Sequence, residues 1–284
     1  MLASFDAEGK KSKSTSTKPP MKTIIRQLAS VIFIGISAGA QAAVVYQNNF
    51  DAGNASLTGF TPFGTATIQA AGGQLALGVS GFDRGGISLN TSSLGGYSTT
   101  LSANSGTVTW AFNVSNQDGT YNNMFSVILA GNISDPYNFG YPAQGYSLKG
   151  GGYVGNRMLL SRFDHGLNTY QILIDVPDPF GLAPLPEKGT IRVTYQPSSD
   201  TWSLYVDRGS SYSDPTAASQ FVGQAVDGTY AHTPLSYLSL GAETSGTDYF
   251  DNLSLSVVPE PSSFALATIG FTALCCCTNR FPRK

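Results

Sequence analysis

Between residues 44 and 257 apolar and polar side chains alternate in short runs, and the alternation has a period of two. Thr107–Val114 is the clearest case, placing Val108, Trp110, Phe112 and Val114 on one face of an extended segment. Ile191, Val193 and Tyr195 repeat the pattern, as do Trp202, Leu204 and Val206. Gln196-Pro197-Ser198-Ser199-Asp200 between these two runs has the length of a hairpin loop. No stretch keeps a 3.6-residue period for three turns. Strands are expected at 44–50, 65–69, 74–78, 107–114, 123–130, 146–149, 158–163, 170–175, 190–195, 201–207, 221–226, 235–240 and 249–257, separated by Gly, Asn, Asp and Pro. A phase break at Asp251-Asn252 predicts a β-bulge in the last of them. Short strands with one buried face each predict an all-β, two-sheet antiparallel sandwich of jelly-roll type over residues 43–257.

The two ends follow different patterns. From Met21, the cations Lys22 and Arg26 precede an apolar run, Leu28–Ala40, and an A-x-A site, Ala40-Gln41-Ala42. These are the parts of a secretory signal peptide over 21–42, with cleavage expected before Ala43. Gly35-Ile36-Ser37-Ala38-Gly39 matches a nucleophile-elbow pattern by spelling only, since a signal-peptide apolar run lacks the strand-turn-helix setting. Residues 1–20 carry Lys, Ser, Thr and Pro without apolar periodicity, and read as a disordered extension or a start codon assigned too early. At the other end, residues 258–284 join Val258-Pro259-Glu260-Pro261 to an uncharged run, Phe264–Cys277, and to the cations Arg280, Arg283 and Lys284. As a helix the uncharged run spans about 21 Å. With its polar shoulders it reaches the lower limit for a short transmembrane helix, its C-terminal cations held on the cytoplasmic side.

Charge narrows the picture. Residues 43–257 hold seven Lys and Arg against fifteen Asp and Glu, a formal charge of −8, whereas the whole chain is at −2. An acidic domain with singly scattered cations is a poor partner for nucleic acid. The chain's three cysteines are Cys275, Cys276 and Cys277, so residues 43–257 have neither a disulfide nor a thiolate nucleophile.

The Val-Pro-Glu-Pro motif, the apolar run and the basic tail together resemble the PEP-CTERM sorting signal of bacterial surface proteins. That resemblance implies an exosortase-type processing enzyme as partner, passage through the inner membrane, and delivery to the cell envelope, surface or extracellular matrix, where such proteins are associated with exopolysaccharide. A second resemblance rests on Thr190–Tyr195, Ser199–Asp207, Asn49-Phe50-Asp51 and Tyr249–Leu255, which are similar to hairpin and terminal strands of concanavalin A-like and laminin G-like domains. A galactose-binding-type jelly roll shares the terminal-strand features and is the alternative fold.

Candidate chemistry is sparse. Glycoside hydrolysis needs two carboxylates about 5 Å apart, or about 6.5–9.5 Å for inversion. Residues 43–257 contain only two glutamates, Glu187 and Glu243, placed by the sequence in separate loops, so no catalytic residue is assigned. His165 and His232 sit in turns without local partners. The concanavalin A-like resemblance implies a structural calcium, and Asp51 with Asp251 would approach one another if first and last strands pair. Asp135-Pro136-Tyr137-Asn138-Phe139-Gly140-Tyr141-Pro142 is the densest aromatic loop, and Tyr137, Phe139 and Tyr141 are the candidate sugar-stacking rings. The chain therefore reads as an exported, non-enzymatic surface or matrix protein, with a lectin-like polysaccharide-binding module as the alternative and a glycoside hydrolase behind both.

Overall fold

The computed structural model describes residues 42–102, 106–116, 124–137, 142–151, 157–177, 188–230 and 233–258. They form two packed antiparallel sheets. The back sheet contains β1 (Ala43–Asn48), β3 (Thr67–Ala71), β4 (Gln74–Val79), β6 (Thr107–Asn116), β11 (Lys188–Gln196), β12 (Thr201–Gly209), β13 (Phe221–Val226) and β15 (Gly246–Val258). Its spatial order is β13-β12-β11-β6-β15-β4-β3, with β1 also paired to β15. The front sheet contains β2 (Phe60–Gly64), β5 (Arg84–Asn90), β7 (Met124–Gly131), β8 (Gln144–Gly151), β9 (Arg157–Asp164), β10 (Tyr170–Pro177) and β14 (Tyr237–Glu243), ordered β10-β9-β8-β7-β14-β5-β2. One short helix, α1 (Tyr97–Ser102), sends Tyr97 into the core.

The alternation read from the sequence sets the layers. Val108, Trp110, Phe112 and Val114 of β6, Ile191, Val193 and Tyr195 of β11, and Trp202, Leu204 and Val206 of β12 are all buried between the sheets. Phe125, Val127 and Leu129 of β7, Tyr146 and Leu148 of β8, and Leu238 and Leu240 of β14 meet them from the front. The 196–200 connection is a hairpin with Gln196 opposite Thr201, and Asp200 closes it at φ 50. The expected bulge is present, since the β15–β6 register shifts between Asp251 and Ser254 and Asn252 takes φ 49.

Two strands escape the alternation rule. β2 contains Pro62, which has no N–H to donate and is tolerated because β2 is the outermost strand of the front sheet. β5 begins Arg84-Gly85-Gly86, and a Cβ at Gly86 would lie 2.0 Å from the Leu240 carbonyl oxygen of the paired strand. The glycines thus mark a close approach of backbones, not a loop. The last strand also runs one residue further than expected: Val258 lies opposite Thr107 within the sheet.

Trp202 is the joint between the layers. Its ring stacks on Tyr195 at 4.5 Å and on Trp110 at 5.6 Å, and Tyr146 reaches across from the front sheet to 4.3 Å. The indole N–H donates to the Asp227 carbonyl oxygen at 3.0 Å. Asp227 in turn accepts from the Tyr146 hydroxyl at 2.8 Å and pairs with Arg162 of β9, so ring stack and ion pair connect the same two sheets. Trp202→Ala is expected to lower the unfolding free energy by about 3–5 kcal/mol, the range for emptying an aromatic core site. Denaturant titration of parent and variant checks it.

Candidate functional site

The sandwich offers two outward faces, and they differ in kind. On the front sheet, outward side chains are small or buried: Ser88, Ser126, Ser147, Ser161 and Ser239 are all at most 2 % exposed. A second apolar cluster, Phe63, Ile128, Tyr137, Ala143, Phe163 and Leu167, lies on this side. Beneath it sits an ion pair, Lys149 Nζ to Glu243 Oε1 at 3.0 Å, with both side chains almost wholly buried. The Tyr137 hydroxyl donates to Glu243 Oε1 at 2.9 Å and shares a hydrogen bond with Ser126, while Lys149 also donates to the Leu167 carbonyl at 3.2 Å. Burial pushes the Lys149 ammonium below its ordinary range, with Glu243 opposing. Burial and the Glu243 charge hold the Tyr137 phenol well above its usual range, so it remains a donor.

Two expectations change here. Tyr137 was expected to present its ring to a sugar, but it is only 8 % exposed and its ring packs against Phe63 at 5.8 Å. Its flat face and its hydroxyl are already used inside the protein. Glu243 closes strand β14 and does not lie in a loop, and its charge is balanced by Lys149 and by Arg84 at 3.7 Å.

The back sheet presents an open polar face. At its β1–β15 side a cavity of about 380 Å³ lies between the loop after β12 and the bulged strand. The loop contributes Tyr212, Ser213, Asp214, Pro215 and Thr216, and the sheet contributes Gln47, Asn252 and Ser254. Each wall is held by hydrogen bonds that leave other donors and acceptors to the cavity. Asn252, turned outward by its left-handed backbone at the bulge, donates from Nδ2 to Asn113 Oδ1 at 2.8 Å. Asn113, fully buried, passes the link to Thr190 Oγ1 at 2.9 Å and to the Ser213 carbonyl at 3.1 Å. Asp214 caps a 3-10 turn by accepting from the Thr216 amide at 2.9 Å. The Tyr212 hydroxyl bonds Ser115 at 2.7 Å, and its ring lies under the Lys188 ammonium at 4.6 Å. Burial, with a smaller contribution from Asp251, pushes the Tyr212 phenol up to about 12. The lining therefore combines amide, hydroxyl and carboxylate groups and contains no cation.

Asp51 and Asp251 flank this region. Asp51 falls just beyond β1, whose Asn48 lies opposite Leu253 of β15. The two carboxylates are near enough to feel one another: burial first, and the Asp51 charge after it, raise Asp251 to about 6. Their oxygens are engaged as local acceptors, Asp51 from the Asn49 amide at 2.5 Å and Asp251 from the Asn252 N–H at 2.7 Å. Among the described residues no three His, Cys, Asp or Glu side chains gather as a metal site would require. His165 stands in an exposed turn at φ 60, 4.0 Å from Asp164. Ala42 and Ala43 are exposed, with β1 starting at Ala43, and Val258 ends β15. Ala40, Phe139, Tyr141, Pro259, Glu260, Pro261, Arg280, Arg283 and Lys284 lie outside the described residues. Among the described residues no helix is long and apolar enough to cross a membrane.

No protein-family model matches this sequence, and no curated protein matches it. Solved structures do share its fold. A Bacillus subtilis protein of unknown function with a galectin-like fold aligns over 76 % of this chain and 99 % of its own, at TM-score 0.51 and 8 % identity. The metal-free carbohydrate recognition domain of Emp46p aligns over 76 % and 97 %, at TM-score 0.50 and 11 % identity. The CBM2 module of the evolved Dit of Lactobacillus casei BL23 phage J-1 aligns over 78 % and 99 %, at TM-score 0.50 and 10 % identity. The architecture is an all-β jelly-roll sandwich of two antiparallel sheets. At these identities the likeness is one of fold.

The raised Asp251 has a signed consequence. Its carboxyl holds a proton more tightly folded than unfolded, so as pH climbs from about 4 through about 6 the unfolded chain ionises first and stability falls. Asp251→Asn, which keeps the acceptor for the Asn252 N–H, is expected to remove that loss. Melting temperatures of parent and variant should converge near pH 4 and separate in favour of the variant above pH 6.

Proposed function

We propose that this chain is an exported, lectin-like module that binds a neutral carbohydrate through the back-sheet cavity. The cavity carries the proposal: it is open, within the roughly 300–1,000 Å³ range of small-molecule sites, and lined by groups that pair with hydroxyls. Sugar hydroxyls donate and accept together. Gln47 and Asn252 amides offer both functions, the Ser213 and Thr216 hydroxyls, whose protons go to Thr190 and Asp214, keep acceptor capacity, the Tyr212 hydroxyl shares one bond with Ser115 and keeps another, and Asp214 accepts. Asp214 in the lining and Asp251 and Asp51 nearby outnumber the adjacent cation, Lys188 over Tyr212, so a neutral sugar is favoured over an acidic one. The galectin-like fold of the Bacillus subtilis protein and the carbohydrate recognition domain of Emp46p support the same direction.

Export and sorting belong to the proposal as well. The signal-peptide pattern over 21–42 and the Val258–Pro261 motif with its apolar run and cations support delivery through the inner membrane to the envelope or matrix, with an exosortase-type enzyme acting on the tail. In that setting the carbohydrate is an exopolysaccharide.

Two measurements test this. On a glycan array followed by titration calorimetry, the parent is expected to bind at least one neutral glycan. Gln47→Ala and Asn252→Ala should each weaken it about 2- to 10-fold, the worth of one or two hydrogen bonds. A parent that binds no glycan on the array removes the reading. Mass spectrometry of the protein recovered from its cells should find an N-terminus at Ala43 and a C-terminus short of Lys284, and an intact chain ending at Lys284 would overturn the sorting proposal.

A further inference from the structure

Resting on the carbohydrate reading above, we infer that the ligand is a linear neutral polysaccharide lying across the strands of the back sheet, from the cavity to an aromatic platform of Tyr205 and Phe221. The cavity alone would suit a chain end or a single sugar, but the surface beside it continues the same chemistry. Pairing register places Gln224, Ser203, Thr194, Thr109 and Ser256 in one unbroken row across β13, β12, β11, β6 and β15. All five project away from the core and are partly or fully exposed. The row ends opposite Val44 of β1, three residues along that strand from Gln47, which pairs with Ser254 and lines the cavity. Hydroxyls and amides thus recur at each strand, about 4.8 Å apart, over a total of about 24 Å from β13 to β1. That is several times the width of one sugar ring.

An aromatic pair stands beside the far end of the row, two to three residues along β12 and β13 from Ser203 and Gln224. Phe221 is 53 % exposed and stands edge-on to Tyr205 at 5.6 Å, directly opposite it in the β12–β13 pairing. Arg192, the next residue across on β11, lays its guanidinium over the Tyr205 ring at 4.1 Å, which fixes that ring's position. Its Nε–H is buried with no hydrogen-bond partner, a donor whose cost a ligand oxygen would relieve if the stack opened slightly. An exposed aromatic edge strand is a liability in a protein with nothing to place on it. Phe221, Tyr205, Arg192, Ala111, Ser254 and Gln47 share one cross-strand row, so rings for stacking on a sugar and the hydrogen-bonding cavity lie on one line, with the hydroxyl row running parallel to it two to three residues along the strands.

The test uses the purified protein in affinity electrophoresis through gels holding hydroxyethylcellulose, galactomannan or xyloglucan, with glucose, galactose, mannose and xylose as free competitors. The parent should be retarded by at least one polymer far more strongly than its constituent sugar can reverse. Tyr205→Ala and Phe221→Ala should each weaken polymer binding about 3- to 10-fold while leaving monosaccharide binding unchanged, and Tyr205→Phe should restore it. Gln47→Ala should weaken both. If Tyr205→Ala and Phe221→Ala leave polymer retardation at the parental value while Gln47→Ala reduces it, the extended site is wrong and the cavity stands. If the two platform variants reduce retardation and Gln47→Ala does not, the cavity is wrong and the platform stands. No retardation in any gel, with no binding of the free sugars, sinks both.

Discussion

Everything in this molecule depends on holding two sheets together without a covalent link. Residues 43–257 contain no cysteine, so the domain has only packing and polar contacts to resist separation of its layers. The stack of Trp110, Trp202, Tyr195 and Tyr146 concentrates that duty at one place, where the front-sheet Tyr146 ring meets Trp202, itself stacked on Trp110 and Tyr195. Asp227 adds direction to what would otherwise be non-directional burial. Its carbonyl accepts from Trp202, and its carboxylate binds Tyr146 and Arg162, so sliding one sheet past the other would break hydrogen bonds as well as contacts.

Much of this architecture was legible because alternation with period two is a direct record of which side chains face a core. Trp110 and Trp202 were assigned inward on that basis and are 0 % and 1 % exposed. The failures have equally physical origins. β2 and β5 lie outside the expected runs because Pro62 and Gly85-Gly86 interrupt the alternation, yet each is what its strand demands: an edge without a donor, and a backbone approached too closely for a Cβ. Tyr137 misled because a loop rich in Pro, Gly and aromatics can either display rings or fold them down. Only the long-range partner Glu243, 106 residues away, decides between these outcomes. The cavity was invisible for the same reason, since its walls come from residues near 47, 213 and 252. The bulge at Asp251-Asn252 was the one local signal that bore on it.

The contrast between the faces follows from how polar groups are satisfied. On the front sheet, hydroxyls find partners within the protein: Ser147 with Ser161 at 3.0 Å, Ser239 with Ser88 at 3.0 Å, and Ser126 with Tyr137. A face whose capacity is internally spent has little to give a ligand. On the back sheet, Thr and Ser side chains stand half-exposed in register, solvated and uncommitted, which makes exchange of water for a polyhydroxyl partner inexpensive.

The pairing of β1 with β15 has a mechanical consequence. Ala43 lies opposite Val257, so the two ends of the described domain leave the fold side by side, and β15 is embedded between β6 on one flank and β4 and β1 on the other. A pull on the chain beyond Val258 runs along β15, parallel to its axis and at right angles to its ladder bonds. Those bonds are loaded together, in shear, and cannot be opened one after another as in a peeled edge strand. Tension applied to the chain beyond Val258 is therefore borne by the whole β15 ladder at once, without shedding the strand it pulls on.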